Sequence, residues 1–221
     1  MKWSRDTAYL MGIMATDGCI QKRENQTSVS SIDKCLISWV KGHAGFTSSV
    51  RTYKRVDGII HCITGSNRSF RDFCIKIGIK TRKTYTIGSL EIPRRYWRSF
   101  LLGVCDGDGS IFRWIKTVRY KTKIYRYPQL RVHIGTASKN FAQFVLRLIK
   151  SLNIHAFMQV RPPAKSGWSV FYEVISDNEN ARKLLDEMYS RVGSFSLPRK
   201  KKIYASVVKD KFFEVKKDSA C

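Results

Sequence analysis

The chain has 221 residues, with 41 Lys and Arg against 17 Asp and Glu and a formal charge of +24. Its 43% hydrophobic content with 12% aromatics is enough to bury a core, which excludes a disordered basic tail. The cationic surplus repels itself on compaction and is most simply balanced by a polyanion, nucleic acid first, against the competing reading of a ribosomal-type or merely solubilising basic surface.

In chain order, Ser4 and Asp6 are both competent caps for a first helix running to about Thr16. After Gly18, residues 19–32 are polar and β-rich, with Thr27, Val29 and Ile32 among them. Asp33 precedes a helix with apolar positions at Leu36, Ile37 and Val40. Residues 48–65 read as a hairpin turning at Asp57-Gly58. Asn67 caps a further helix that stops at Gly78.

A second series then repeats the first. Pro93 is placed as the first-turn proline of a helix through "RRYWRSFLLG". Residues 109–136 hold two strands around a long basic-aromatic hairpin, and Ser138 caps an amphipathic helix. Residues 157–175 form another hairpin, with Pro162, Pro163 and Gly167 in its connection, and Asp177 or Asn178 caps the helix after it. Each half reads α-β-β-α-β-β-α, which makes the chain an α+β tandem repeat with halves 1–92 and 93–221. The "KKK" at 200–202 and the tail from 210 have no counterpart in the first half.

The repeat is sharpest at "LMGIMATDG" (10–18) and "LLGVCDGDG" (101–109), where Gly12 matches Gly103, Asp17 matches Asp108 and Gly18 matches Gly109 at one offset. Gly12 and Gly103 lack side chains, so two such helices can abut closely, packed by Leu10, Ile13 and Met14 against Leu101, Val104 and Cys105. Gly18 and Gly109 are expected to end the helices. A two-fold axis between the helices brings Asp17 and Asp108 together at its end. Two close carboxylates repel unless a proton or cation lies between them, and hard oxygen ligands favour Mg²⁺. "DGDG" is not an EF-hand loop, because the twelfth position counted from Asp106 is Thr117.

These two motifs resemble the signatures of a single-chain LAGLIDADG homing endonuclease, and motif order and repeat extend the similarity over nearly the whole chain. The resemblance implies a saddle of two antiparallel sheets over the DNA major groove, with the motif helices at the central interface. It implies a monomer that breaks both strands of a long, nearly asymmetric duplex, leaving short 3′ overhangs, with Mg²⁺ as cofactor and Mn²⁺ as a substitute. By position, Asp17 and Asp108 are the catalytic metal ligands, joined by the main-chain carbonyls of Thr16 and Gly107. Ala15 departs from the motif where the second copy has Asp106, which argues against a catalytic role for Asp106. The family pattern also places basic groups beside the scissile phosphates, with Lys22, Lys116 and the "RKKK" at 199–202 as candidates.

Alternating basic and aromatic residues on the hairpins suit strands with one face toward a polyanion. Candidate DNA contacts are Arg51, Tyr53, Arg55, Arg119, Lys121, Lys123, Tyr125 and Arg126, with Arg131 and His133 on the next strand. The tryptophans read as packing groups, with Trp114 the strongest exception. Two other readings use the same fold: a maturase that binds its host intron RNA, and a non-enzymatic DNA-binding regulator. No stretch approaches the roughly 20 apolar residues of a membrane span. The six cysteines form no C-x-x-C pair, and no membrane or signal segment is expected. The protein is therefore expected inside the cell: the cytoplasm of a prokaryote, or an organelle matrix if organellar.

Overall fold

The computed structural model describes residues 1–21, 26–56, 58–121, 123–163 and 170–209. The first motif lies on helix α1 (Arg5–Ala15), whose N-terminus is closed by the Ser4 side chain accepting from the Thr7 amide at 3.0 Å. Residues 7–15 of this helix are all buried, so it is apolar all round and runs through the centre of the molecule. Its counterpart α4 (Trp97–Asp108) is buried from Ser99 to Asp106. Pro93 caps a short 3₁₀ turn, Arg94–Tyr96, that leads into α4; the proline therefore stands before the α-helix instead of in its first turn.

Around α1 fold β1 (Gly18–Ile20), β2 (Thr27–Ser31), α2 (Lys34–His43), β3 (Arg51–Arg55), β4 (Gly58–Gly65) and α3 (Arg68–Lys76). Around α4 fold β5 (Gly109–Tyr120), β6 (Lys123–Thr136), α5 (Lys139–Lys150), β7 (Phe157–Arg161), β8 (Phe171–Asp177) and α6 (Asn178–Tyr189). The sheets have matching antiparallel orders, β1-β2-β4-β3 and β5-β6-β8-β7. The protein is thus an α+β fold of two four-stranded sheets related by an internal repeat. In each sheet one face packs on helices and the other lies open, as alternation along a half-buried strand requires. Leu130, Val132 and Ile134 are buried while Arg131 and His133 between them face out.

Gly18 and Gly109 stand where the helices give way to strands, as expected: Gly109 is the C-cap of α4, and the two glycines open β1 and β5. Gly109 is extended (φ −90°, ψ 161°), and neither glycine takes a left-handed turn. A Cβ would stand 2.6 Å from the Met14 Cα at Gly18 and 2.7 Å from the Cys105 Cα at Gly109. Each strand therefore doubles back onto the helix it leaves, and only hydrogen fits between them.

Asp33 and Asp177 occupy cap positions without capping. Their carboxylates instead hold Arg199 at 3.0 Å and Arg131 at 2.6 Å. Arg199 belongs to a further helix, α7 (Pro198–Lys209), which has no partner in the first half. The segment leading into α7 is strapped to the first half: the Ser194 amide donates to Asp6 Oδ1 at 2.6 Å, and Phe195 stacks on Trp39. Among the described residues no helix is long and apolar enough to cross a membrane.

Candidate active site and nucleic-acid interface

Helix α1 crosses α4 at Gly12 and Gly103, each without room for a methyl group. That crossing sets the two C-terminal ends side by side. A Cβ built on Gly107 would lie 2.8 Å from the Thr16 Cβ and 3.3 Å from Asp17 Oδ2, so the chain just before Asp108 touches the tip of the first motif. Asp17 and Gly107 line one pocket of about 300 Å³ together with Ser30, Ser31 and Arg199.

Asp17 is half-buried, and its pKa is pushed up to about 7, first by burial and then by the Asp108 charge; Lys83 and Lys200 oppose the rise. Asp108 opens to solvent, yet desolvation by the surrounding protein still moves its pKa upward against the same two lysines. Acids at helix C-termini meet the negative end of the dipole, and neither motif helix has a basic residue in its last turn. Compensation comes from distant chain. Lys83 Nζ donates to the Ala15 and Thr16 carbonyls at 2.8 and 2.5 Å. Lys200 Nζ donates to the carbonyls of Cys105, Asp106 and Gly109 at 2.5, 2.9 and 2.6 Å. Helix-end carbonyls have no intrahelical partner, so each ammonium satisfies them and faces an acid at once.

The two lysines differ in what they have left. An ammonium has three N–H donors: Lys200 places all three on carbonyls, whereas Lys83 places two. Lys200 belongs to the basic run 199–202. Lys83 carries no sequence signal, since one lysine in a loop of a cationic chain has no pattern to mark it. Lys116 is misplaced for the proposed role: it lies seven positions along β5 from Gly109, roughly 24 Å at ~3.4 Å per residue. Lys22 lies outside the described residues.

Asp106 is buried, and one of its carboxylate oxygens is occupied by protein donors. Its Oδ2 accepts from Tyr9 Oη at 2.8 Å and from the Leu197 amide at 2.9 Å. Burial raises its pKa to about 6 against those two hydrogen bonds.

Among the described residues no cluster of three His, Cys, Asp or Glu side chains stands ready to hold a metal ion. The donors at the motif tips nevertheless suit a hard divalent cation. They are oxygens only, two carboxylates whose mutual repulsion a dication relieves, and Mg²⁺ characteristically completes one or two carboxylates with water and substrate phosphate. Gly107 offers its carbonyl at the α4 end, while the Thr16 carbonyl is shared with Lys83.

Strand register sorts the candidate DNA contacts. In the first sheet Arg51, Tyr53 and Arg55 pair with Cys62, Ile60 and Gly58 and share the open face with Cys19, Ser28 and Ser30. In the second, Arg131 and His133 lie on the open face in line with Gln129, Tyr127, Tyr125 and Lys123. Arg119 and Arg126 fall on the opposite face of the hairpin, and Lys121 sits in its turn with φ +52°. Trp114 lies on the open face beneath the Arg131 guanidinium, 5.7 Å from its centre, whereas Trp3 and Trp39 pack in aromatic clusters.

Paired helices with acids at adjoining tips, set between two basic sheet faces, define the LAGLIDADG architecture. Residues 96–189, within the second half of the chain, match the family model of the LAGLIDADG-like domain. The whole chain shares the fold of single-chain LAGLIDADG homing endonucleases. The structure of I-DmoI in complex with DNA and Ca is 13% identical with a TM-score of 0.58, over 91% of this chain and 97% of that one. I-LtrWI bound to its target DNA is 15% identical with a TM-score of 0.56, over 94% and 92%. The full-length DUF199/WhiA protein of Thermatoga maritima is 12% identical with a TM-score of 0.54, over 95% of this chain and 62% of that one. No curated protein matches the sequence.

Proposed function

We propose that this chain is a site-specific DNA endonuclease that cuts both strands of a long duplex as a monomer, using Mg²⁺ and leaving short 3′ overhangs. The observation that carries the reading is the joining of Asp17 and the Gly107–Asp108 corner at the tips of abutting helices, with Lys83 and Lys200 beneath them. Asp17 and Asp108 would hold the cation, with carbonyl oxygen from Gly107 beside them. The ion supplies Lewis-acid polarisation of the phosphate and a lowered pKa for attacking water.

The chain's own residues do the rest. The open sheet faces bind and orient the duplex, through arginine and lysine toward phosphate and through arginine toward guanine edges. Lys83 has one N–H free to face a phosphoryl oxygen as charge develops there, a contribution of the preorganised electrostatic kind. Lys200 holds the end of α4 in place. Both acids are retained, which favours cleavage over binding alone.

The test is cleavage of a randomised duplex library with Mg²⁺ by the wild-type protein and by Asp17→Asn and Asp108→Asn. Linear products from the wild type alone, with DNA affinity of both variants within a few-fold, support the assignment. Full cutting by either variant refutes it. Intron-like RNA bound more tightly than any selected duplex would point to the maturase reading.

A further inference from the structure

The two open sheet faces are built on the same plan but differ in charge. On the first, Arg51 and Arg55 stand among Cys19, Ser28, Ser30 and Cys62, with no carboxylate at any strand position of that face. On the second, two acids stand among the cations. Asp177 takes Arg131 through both oxygens, Nε at 2.6 Å and Nη2 at 3.2 Å. Glu173 takes Arg161 Nε at 2.6 Å, and His133 Nε2 lies 3.1 Å from the same oxygen.

Acids on a phosphate-facing surface weaken non-specific attraction, so they do not serve general affinity. Glu173 is 3% exposed, which leaves it no access to a cytosine amino group and excludes direct reading by the carboxylate. Its remaining use is to fix the cation above it. Arginine loses much of its rotamer freedom when ordered, and a prior partner meets that cost before DNA arrives. Asp177 holds Arg131 side-on through Nε and one N–H of Nη2, with Trp114 underneath, which leaves the second Nη2 N–H and the Nη1 N–H groups as a fork for another acceptor. Arg161 is held through Nε and remains largely exposed beyond it. That open fork matches the O6 and N7 acceptors of guanine.

We propose that Asp177 and Glu173 are positioning residues that preset Arg131 and Arg161 as guanine readers, so that the second sheet, and not the first, sets the guanine requirements of the target. The inference rests on the DNA-reading function proposed above and adds which half discriminates and by what device. Arg51 and Arg55, without carboxylate partners among the described residues, act on phosphate and contribute affinity that is indifferent to sequence.

The experiment is binding selection from a randomised duplex library without divalent metal, which keeps recognition separate from cleavage. Wild type, Asp177→Asn, Glu173→Gln, Arg131→Lys, Arg161→Lys and the pair Arg51→Gln, Arg55→Gln are compared, with the salt slope of binding measured for each. The expected result is loss of guanine preference at one position for each second-sheet variant, on the order of tenfold, with the salt slope held within about one unit. The Arg51, Arg55 pair should keep every base preference and lose about two units of slope. The lysine variants leave each acid paired with a cation, so they report readout even where an acid variant is destabilised. Wild-type guanine preference in Arg131→Lys and Arg161→Lys overturns the inference, as does guanine loss confined to the first-sheet pair. A wild type that selects no sequence at all defeats the DNA-reading function itself.

Discussion

Gly12 and Gly103 face each other where α1 crosses α4: a methyl group on Gly103 would stand 3.1 Å from the Gly12 Cα and collide with the Tyr9 carbonyl. One on Gly12 would stand 2.8 Å from the Gly103 carbonyl carbon and 2.7 Å from the Val104 amide. Every obstacle named is backbone, which cannot rotate aside as a side chain can. Gly103→Ala should therefore force the helices apart and cost roughly 3 kcal/mol. Thermal unfolding checks the stability, and metal-dependent cleavage should fall further than stability does, because the acids move with the helix tips. An alanine variant that melts like the wild type would mean that the two helices do not abut this way.

The Tyr9–Asp106 hydrogen bond at 2.8 Å has an apolar twin across the pseudo-two-fold. At the repeat offset Tyr9 matches Phe100 and Asp106 matches Ala15, both buried. One side of the interface thus carries a tyrosine–acid pair and the other a phenylalanine–alanine pair. Tyr9→Phe should cost roughly 1–2 kcal/mol by removing one of the two donors to the buried Asp106 Oδ2. Adding Asp106→Ala should recover part of that loss, while the Leu197 amide remains unsatisfied. A double-mutant cycle measures the coupling, and strict additivity would show that the pair does not act as a unit.

Lys83 and Lys200 should separate in their effects. Lys200→Met removes three donors from buried carbonyls and should destabilise by roughly 3 kcal/mol. Lys83→Met removes two and should cost less in stability, while lowering cleavage on the order of a hundredfold if its third N–H serves the phosphate. Melting curves and single-turnover cleavage of both variants test this ordering. Equal cleavage by Lys83→Met and wild type would assign Lys83 a purely structural role.

Asp17 carries a pH signature in the metal-free protein. Its pKa is about 7 when folded against an ordinary value of 3.8. Between these values the folded state holds more protons than the unfolded one, so the contribution of this group to stability falls as pH rises. Asp17→Asn should therefore stabilise the protein in chelator, by an amount that grows from about pH 4 to about pH 7 and then levels. Unfolding curves of wild type and variant across that range give the difference directly. Mg²⁺ should reverse the order at neutral pH, because a dication binds the ionised carboxylates and stabilises only the chain that has them. A flat difference curve would mean that burial and Asp108 do not act on this carboxyl as the geometry requires.

The repeated motifs, their order and the caps at Ser4, Asn67 and Ser138 were legible because each is local, set by spacing of a few residues along one helix or turn. The same is true of the joining of Asp17 with the second motif, since two matching glycines on two matching apolar helices leave little choice of packing. The partners of those acids were not legible. Lys83 and the α7 lysine reach the motif tips only through the fold, and no periodicity distinguishes either among 41 basic residues. Asp33 and Asp177 stand where caps stand, yet arginines distant in sequence claim their carboxylates.

The basic hairpin shows the limit most directly. Its run "RYKTKIYRY" alternates without an apolar face, and both faces of that hairpin are exposed. A strand pattern has a phase only where burial favours one face over the other. With no burial to choose between faces, composition alone put Arg119 and Arg126 beside Arg131, and only pairing with β5 assigned them to the other side. The sequence by itself determined two acid-tipped helices repeated in one cationic chain. Which cations attend the acids, and which arginines share a face, was decided by tertiary structure, because contacts across many residues of separation leave no period in the chain that makes them.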